Sequence, residues 1–115
     1  SKLPDPKVIG NAGSFFKNPI ITVNKLKQLL ESHPDIPNYP SGESEAKLAA
    51  GWLIEQSGWK GKVYDERYGV HKKQALVLVN YNNATGNEIL NLSLNIIKDV
   101  EQKFGVRLER EVNIL

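Results

Sequence analysis

Ser14 has the surroundings of a reactive or ligand-holding group. It sits in the decapeptide Gly10 to Pro19, GNAGSFFKNP, where Gly10 and Gly13 bracket the approach and two aromatics, Lys17 and Asn18 follow. Glycine has no Cβ to clash, so the backbone there can turn tightly and come close to another molecule. The serine hydroxyl that follows is therefore poorly screened by neighbouring side chains. Such a loop could hold a phosphate or present a proton, and the decapeptide alone does not separate binding from catalysis. Further along, Tyr39 stands among breakers in PNYP, and Lys60 lies between Gly58 and Gly61.

Several chemistries are excluded by what the chain lacks. It contains no cysteine, hence no disulfide framework, thiolate nucleophile or cysteine-based zinc site. His33 and His71 are too few and too far apart to suggest a metal, so none is expected. Fifteen Lys+Arg against thirteen Asp+Glu leave a net charge of +2, too balanced to demand a nucleic-acid or membrane partner. No apolar run approaches the roughly 20 residues that span a bilayer, and no signal-like segment opens the chain, so a cytoplasmic location is expected. With 115 residues, 40% of them hydrophobic, the chain reads as one globular domain. The absence of any methionine and the abrupt start on SKLPDP read as a fragment of a longer protein.

The elements that must position Ser14 follow from periodicity and breakers. Residues 1–9 read as an extended lead-in, and 14–17 as a short strand. Thr22 or Asn24 can cap a helix carrying Leu26, Leu29 and Leu30 and ending before Pro34. Residues 34–42, with three prolines, read as a loop. A second helix is expected over 45–57, with Ala46, Ala49, Ala50, Leu53 and Ile54 on one face and Gly51 at a tight contact. Residues 63–68 are ambiguous, whereas ALVLVN, ending at Asn80, reads as a strand buried on both faces. Thr85 and Glu88 have capping-box spacing and open the longest helix, to about Lys103, with Ile89, Leu92, Ile96, Val100 and Phe104 buried and Gly105 as its stop. Residues 106–115 alternate as a half-buried strand, in which Arg110 breaks the pattern of Val106, Leu108 and Val112 and admits a bulge. The sum is an α+β single domain, its helices packed on a mostly antiparallel sheet.

GNAGSFFKNP, PNYP, KLAAGWLIEQSGWKG, HKKQALVLVN and an ATG turn leading to FGVRLEREV occur in this order over nearly the whole chain. In that order they resemble the C-terminal, substrate-binding domain of the UDP-N-acetylenolpyruvoylglucosamine reductase family. The resemblance implies a bacterial cytoplasmic enzyme of peptidoglycan precursor synthesis. In that family FAD and NADPH serve to reduce an enolpyruvyl group to a lactyl ether. Hydride passes from the reduced flavin to the terminal methylene carbon, and the serine of GNAGS, here Ser14, gives a proton to the adjacent carbon. Glu111, the second glutamate of LEREV, matches the family's catalytic carboxylate. To stabilise the enediolate-like species it must be protonated or bridged at hydride transfer, since an ionised carboxylate would repel it. The arginine that shares this charge in the family belongs to a preceding domain.

The resemblance also implies that Lys2, Asn18, Tyr39, Lys60 and Gln74 hold the nucleotide sugar, UDP-N-acetylglucosamine enolpyruvate. The types suit it: lysines for a diphosphate, amides that donate and accept, and a tyrosine face and phenol for base, sugar or phosphate. PNYP resembles the form of the family whose tyrosine-bearing loop folds over substrate, so 37–43 is expected to be mobile or displaced without ligand. His71 reads as structural, and Phe15, Phe16, Trp52 and Trp59 as core or site wall. The flavin-binding domains are absent from this chain and the end at Leu115 is earlier than the family pattern. The segment alone is therefore expected to bind no FAD or NADPH and to be inactive, with those domains as its partner. Two rivals stand beside this reading. One is a non-catalytic nucleotide-sugar or anion-binding module, which would not need both Ser14 and Glu111. The other is a basic RNA- or protein-binding domain, for which the lysines are too dispersed.

Overall fold

The computed structural model describes residues 7–9, 14–81 and 83–111. In chain order its elements are β1 (Lys7–Ile9), β2 (Ile20–Thr22), α1 (Val23–Ser32), β3 (Asn38–Pro40), β4 (Glu45–Leu48), α2 (Ala50–Gln56), β5 (Val63–Tyr64), β6 (Tyr68–Val70), β7 (Leu78–Asn80) and α3 (Gly86–Phe104). Two antiparallel sheets result, one ordered β1-β7-β6-β5 and the other β2-β4-β3. With three helices this is an α+β domain, as the alternation of signals predicts.

α3 forms for the reasons its sequence states. Thr85 Oγ1 accepts the Glu88 N–H and Glu88 Oε1 accepts the Thr85 N–H, completing the capping box. Gly105, at φ +68°, takes the left-handed turn that ends the helix. The stripe Ile89, Leu92, Ile96, Val100 and Phe104 is buried as expected, joined by Ser93 and Ile97. It meets Leu53 and Ile54 of α2, Val70 and Leu78 of the four-stranded sheet, and Phe15, Phe16 and Leu108. In α1, Thr22 rather than Asn24 is the cap, accepting the Lys25 N–H.

The helix expected over 45–57 is two elements. Glu45–Leu48 is the central strand of the smaller sheet, alternating exposed and buried, because Ala46 and Leu48 point to the core while Glu45 and Lys47 face out. Only Ala50–Gln56 is helical, and its N-cap residue, Ala49, has no side-chain oxygen to offer. Gly51 is not tightly packed: a Cβ there would meet Leu76 Cβ at an ordinary 3.6 Å. The expected loop over 34–42 contains β3, an edge strand, where Pro40 is tolerated because one side of the ladder needs no donor.

The ambiguous 63–68 stretch is a hairpin, with Asp65 and Glu66 at φ +52° and +56° and the Arg67 N–H returning to the Tyr64 carbonyl. ALVLVN is a strand only at its end, 78–80, and Val77, Leu78 and Val79 are all buried. After α3, residues 106–111 alternate buried and exposed, but only Arg110 forms a β-bridge, to Phe16. Pairing is regular over 109–111, with no inserted residue, and the remainder of the expected strand, including Val112, lies outside the described residues.

Candidate functional site

The first and last parts of the chain meet at one short antiparallel ladder. Lys17 N–H donates to the Glu109 carbonyl at 2.8 Å and Glu111 N–H to the Phe15 carbonyl at 2.8 Å, flanking the Phe16–Arg110 bridge. Ser14 thus directly precedes the residue whose carbonyl holds the Glu111 main chain. The Phe15 N–H turns away to the Leu76 carbonyl at 3.0 Å, so the chain bends there. That bend suspends strict alternation, and both Phe15 and Phe16 are buried, edge to face at 5.1 Å between ring centroids. Two buried aromatic rings anchor a segment whose next-door serine is half-buried and whose partner Glu111 is exposed.

The loop that supplies Leu76 also carries Gln74. Its turn is held by His71, whose Nδ1 accepts the N–H groups of Lys73 and Gln74 at 3.0 and 3.2 Å, a structural role. Gly61 N–H donates to the His71 carbonyl, which sets Lys60 beside this loop. The Lys60 ammonium is engaged with Glu55 at 3.1 Å. Ser14, Glu111, Gln74 and Lys60 therefore lie along one continuous run of backbone contacts.

Asn18 is reached from the other direction. Its Oδ1 accepts the Ala50 N–H at 2.9 Å, so a side chain far away in sequence caps the helix that Ala49 cannot. The Leu48 N–H bonds the Pro19 carbonyl, fastening the same loop to β4. Across β4, Tyr39 pairs with Lys47, and Lys47 pairs in turn with Ile20. This row is exposed, with Tyr39 at 55% and Ile20 at 52%. Lys47 is a candidate that the sequence reading missed, because a helix over 45–57 hides its pairing with Tyr39. The signal was the alternation Glu45, Ala46, Lys47, Leu48.

An open groove of about 610 Å³ lies alongside, lined by Lys17, Asn18, Ile20, Lys25, Arg107 and Glu109 among others. Its lining includes Asn18 but not Ser14, Tyr39, Lys60, Gln74 or Glu111. Gly10, Gly13 and Lys2 fall outside the described residues. Phe15, Phe16 and Trp59 are core, and Trp59 donates its Nε1–H to Asp99 at 3.0 Å. Trp52 packs on Phe104.

Among the described residues the strongest electrostatic shift lies elsewhere. Hydrogen bonds from Arg67, and then from the Thr85 N–H, pull the Glu88 carboxyl down to about 2. Arg67 in turn is raised, chiefly by its hydrogen bond to Glu88, and Tyr68 is raised by burial. This cluster braces the β5–β6 hairpin against the start of α3. It also tests whether the chain could cradle a flavin diphosphate. Such a group needs free N–H donors at a helix start. At α3 the Thr85 N–H donates to the Glu88 carboxylate and the Glu88 N–H to Thr85 Oγ1, at α1 Thr22 Oγ1 accepts the Lys25 N–H, and at α2 Asn18 Oδ1 accepts the Ala50 N–H. Each helix start among the described residues thus carries its own side-chain cap.

The C-terminal domain model of UDP-N-acetylenolpyruvoylglucosamine reductase matches residues 5–115. Proteins named as that reductase are similar to the chain. One from Flavobacterium johnsoniae is 55% identical over 115 residues, all of the chain and 34% of the relative. One from Pseudomonas savastanoi pv. phaseolicola is 55% identical over 113 residues, 98% of the chain and 33% of the relative. One from Chromobacterium violaceum is 54% identical over 115 residues, all of the chain and 33% of the relative. The chain therefore spans about a third of the length of the curated relatives it matches. No helix among the described residues is long and apolar enough to cross a membrane. From its first elements to the ladder that joins Phe16 and Arg110, the chain belongs to the family of UDP-N-acetylenolpyruvoylglucosamine reductase C-terminal domains.

Proposed function

We propose that this chain is the substrate-binding and proton-donating part of a bacterial cytoplasmic reductase. That enzyme converts UDP-N-acetylglucosamine enolpyruvate to UDP-N-acetylmuramate in peptidoglycan synthesis. The observation that supports the reading is the pairing of 15–17 with 109–111, which brings the residue after Ser14 against the main chain of Glu111. FAD and NADPH supply the reducing equivalents and are held by domains outside this chain, its partner in the enzyme.

In this reading Ser14 gives its proton to the carbon that bears the substrate carboxylate. A serine hydroxyl is a weak acid, so the site must stabilise the oxygen left behind and return a proton to it promptly. Glu111 hydrogen-bonds the charge that develops on the substrate carboxylate. Asn18 keeps its amide NH2 for the ligand while Oδ1 holds α2, and Gln74 and Lys60 approach from the neighbouring loops. Tyr39 and Lys47, a phenol and an ammonium side by side on an exposed sheet face, form a diphosphate clamp, with 37–43 as the lid that brings them over substrate. Lys2 completes the nucleotide-sugar contacts.

A thermal-shift comparison separates this reading from its rivals. Millimolar UDP-N-acetylglucosamine enolpyruvate should raise the melting temperature of the chain, because a ligand held by the native state alone stabilises it by mass action. Heparin at equal charge should not. Equal stabilisation by the polyanion, or none by the nucleotide sugar, would count against the proposal.

A further inference from the structure

Arg110 is the charged residue that interrupts an apolar face. Val106 and Leu108, with which it shares parity, are 3% and 1% exposed, and Arg110 on the same face is half-buried. There its Nη1 donates to Ser93 Oγ at 3.3 Å. Ser93 is the one fully buried polar side chain among the described residues, set in α3 beside Leu92, Ile96 and Ile97. Its hydroxyl already donates to the Leu90 carbonyl at 2.7 Å, so the contact with Arg110 uses the oxygen's remaining acceptor capacity. Packing alone would be met by alanine at this position, a better helix former with no polar atom to satisfy. The hydroxyl gives Arg110 a fixed point on a rigid helix.

What that fixed point controls follows from the ladder. Two backbone hydrogen bonds join 109–111 to 15–17, and so short a pairing specifies its register weakly. A slip of one residue would turn Glu109 or Glu111 toward the core, which burial forbids. A slip of two keeps apolar residues inward, with Leu108 or Val112 opposite Phe16, so the hydrophobic pattern does not oppose it. In one direction it moves Glu109 into the place of Glu111. We propose that Arg110, held by Ser93, is a positioning residue that selects Glu111 over Glu109 as the carboxyl beside Ser14. The proposal rests on the functional reading above for its consequence in catalysis, and on the ladder alone for its structural content.

Two measurements test these separately. In the 115-residue chain, amide exchange is read at Lys17 and Glu111, whose N–H groups make the ladder, and at Ile96 and Ile97 within α3. Arg110→Ala should raise exchange at the first pair by about tenfold and leave the second pair unchanged, as expected for loss of one charge-assisted hydrogen bond. Arg110→Lys, which retains a donor, should restore part of the protection. In the full-length reductase carrying this segment, Arg110→Ala and Ser93→Ala should each lower kcat by about tenfold with KM within twofold. The double variant should be no worse than either single one, because the two act through one contact. Unchanged protection at Lys17 and Glu111 in Arg110→Ala, or additive losses in the double variant, would overturn the proposal. If Glu111→Gln itself leaves kcat unchanged, the functional reading fails while the exchange result still decides the register lock.

Discussion

Asn18 offers two ends to its surroundings, and the fold uses one of them. Because Oδ1 caps α2 by accepting the Ala50 N–H, a ligand contact through the NH2 group ties substrate to the start of that helix. Ser14 is positioned differently, by the buried rings that follow it and by the bend at Phe15. Tyr39 and Lys47 are both exposed and lie opposite each other across β3 and β4. Tyr39→Phe in the full-length reductase should raise KM for the enolpyruvyl substrate by about fivefold, the worth of one hydrogen bond of roughly 1 kcal/mol. Lys47→Gln should act in the same direction, and the double variant should fall short of the product of the two. Unaltered KM in Tyr39→Phe would remove the phenol from the contact set.

Elements were legible where one period and its end signals agreed. α3 is such a case: threonine and glutamate at capping-box spacing, an unbroken apolar stripe and a terminal glycine all name the same helix. Residues 45–50 failed because alanine suits both periods; Ala46, Ala49 and Ala50 fit a helical face, yet Lys47 and Glu45 face out from a strand whose neighbours are β2 and β3. β2 is remote in sequence, and β3, four residues away, lies in a proline-rich stretch that reads as a loop, so the pairing that decides the matter could not be read there. The α3 cap carries its own pH dependence. Glu88, held down to about 2 by Arg67 and the Thr85 N–H, stabilises the fold above the ordinary carboxylate value of 4.5. That contribution is lost as pH falls from 4.5 through about 2. Glu88→Gln should therefore lower the melting temperature at neutral pH, with the gap to the parent narrowing across that acid window. At the next hairpin, a Cβ on Gly69 would press on the Lys62 carbonyl oxygen and lie 2.6 Å from Val63 Cα. Gly69→Ala should cost about 1–3 kcal/mol in chemical denaturation, because backbone must move to admit it.

At the scale of the whole molecule, the chain brings residues from its beginning, middle and end to one edge. Phe15 and Phe16 enter the core that α3 organises, the 71–76 loop bonds Phe15 from one side, and the 109–111 strand bonds it from the other. That convergence was not visible in spacing. The individual candidates came instead from the resemblance to a reductase family, whose short motifs sit in these same segments. The segment matches only about a third of its relatives' length, so the proposed catalysis is measured in a full-length reductase that carries it. The most direct test is the steady-state rate of the full-length reductase bearing Ser14→Ala with saturating NADPH and the enolpyruvyl substrate. Loss of a positioned proton donor predicts a kcat lower by about two to four orders of magnitude, with KM within a few-fold. A kcat within twofold of the parent would contradict the assignment of Ser14 as the proton donor.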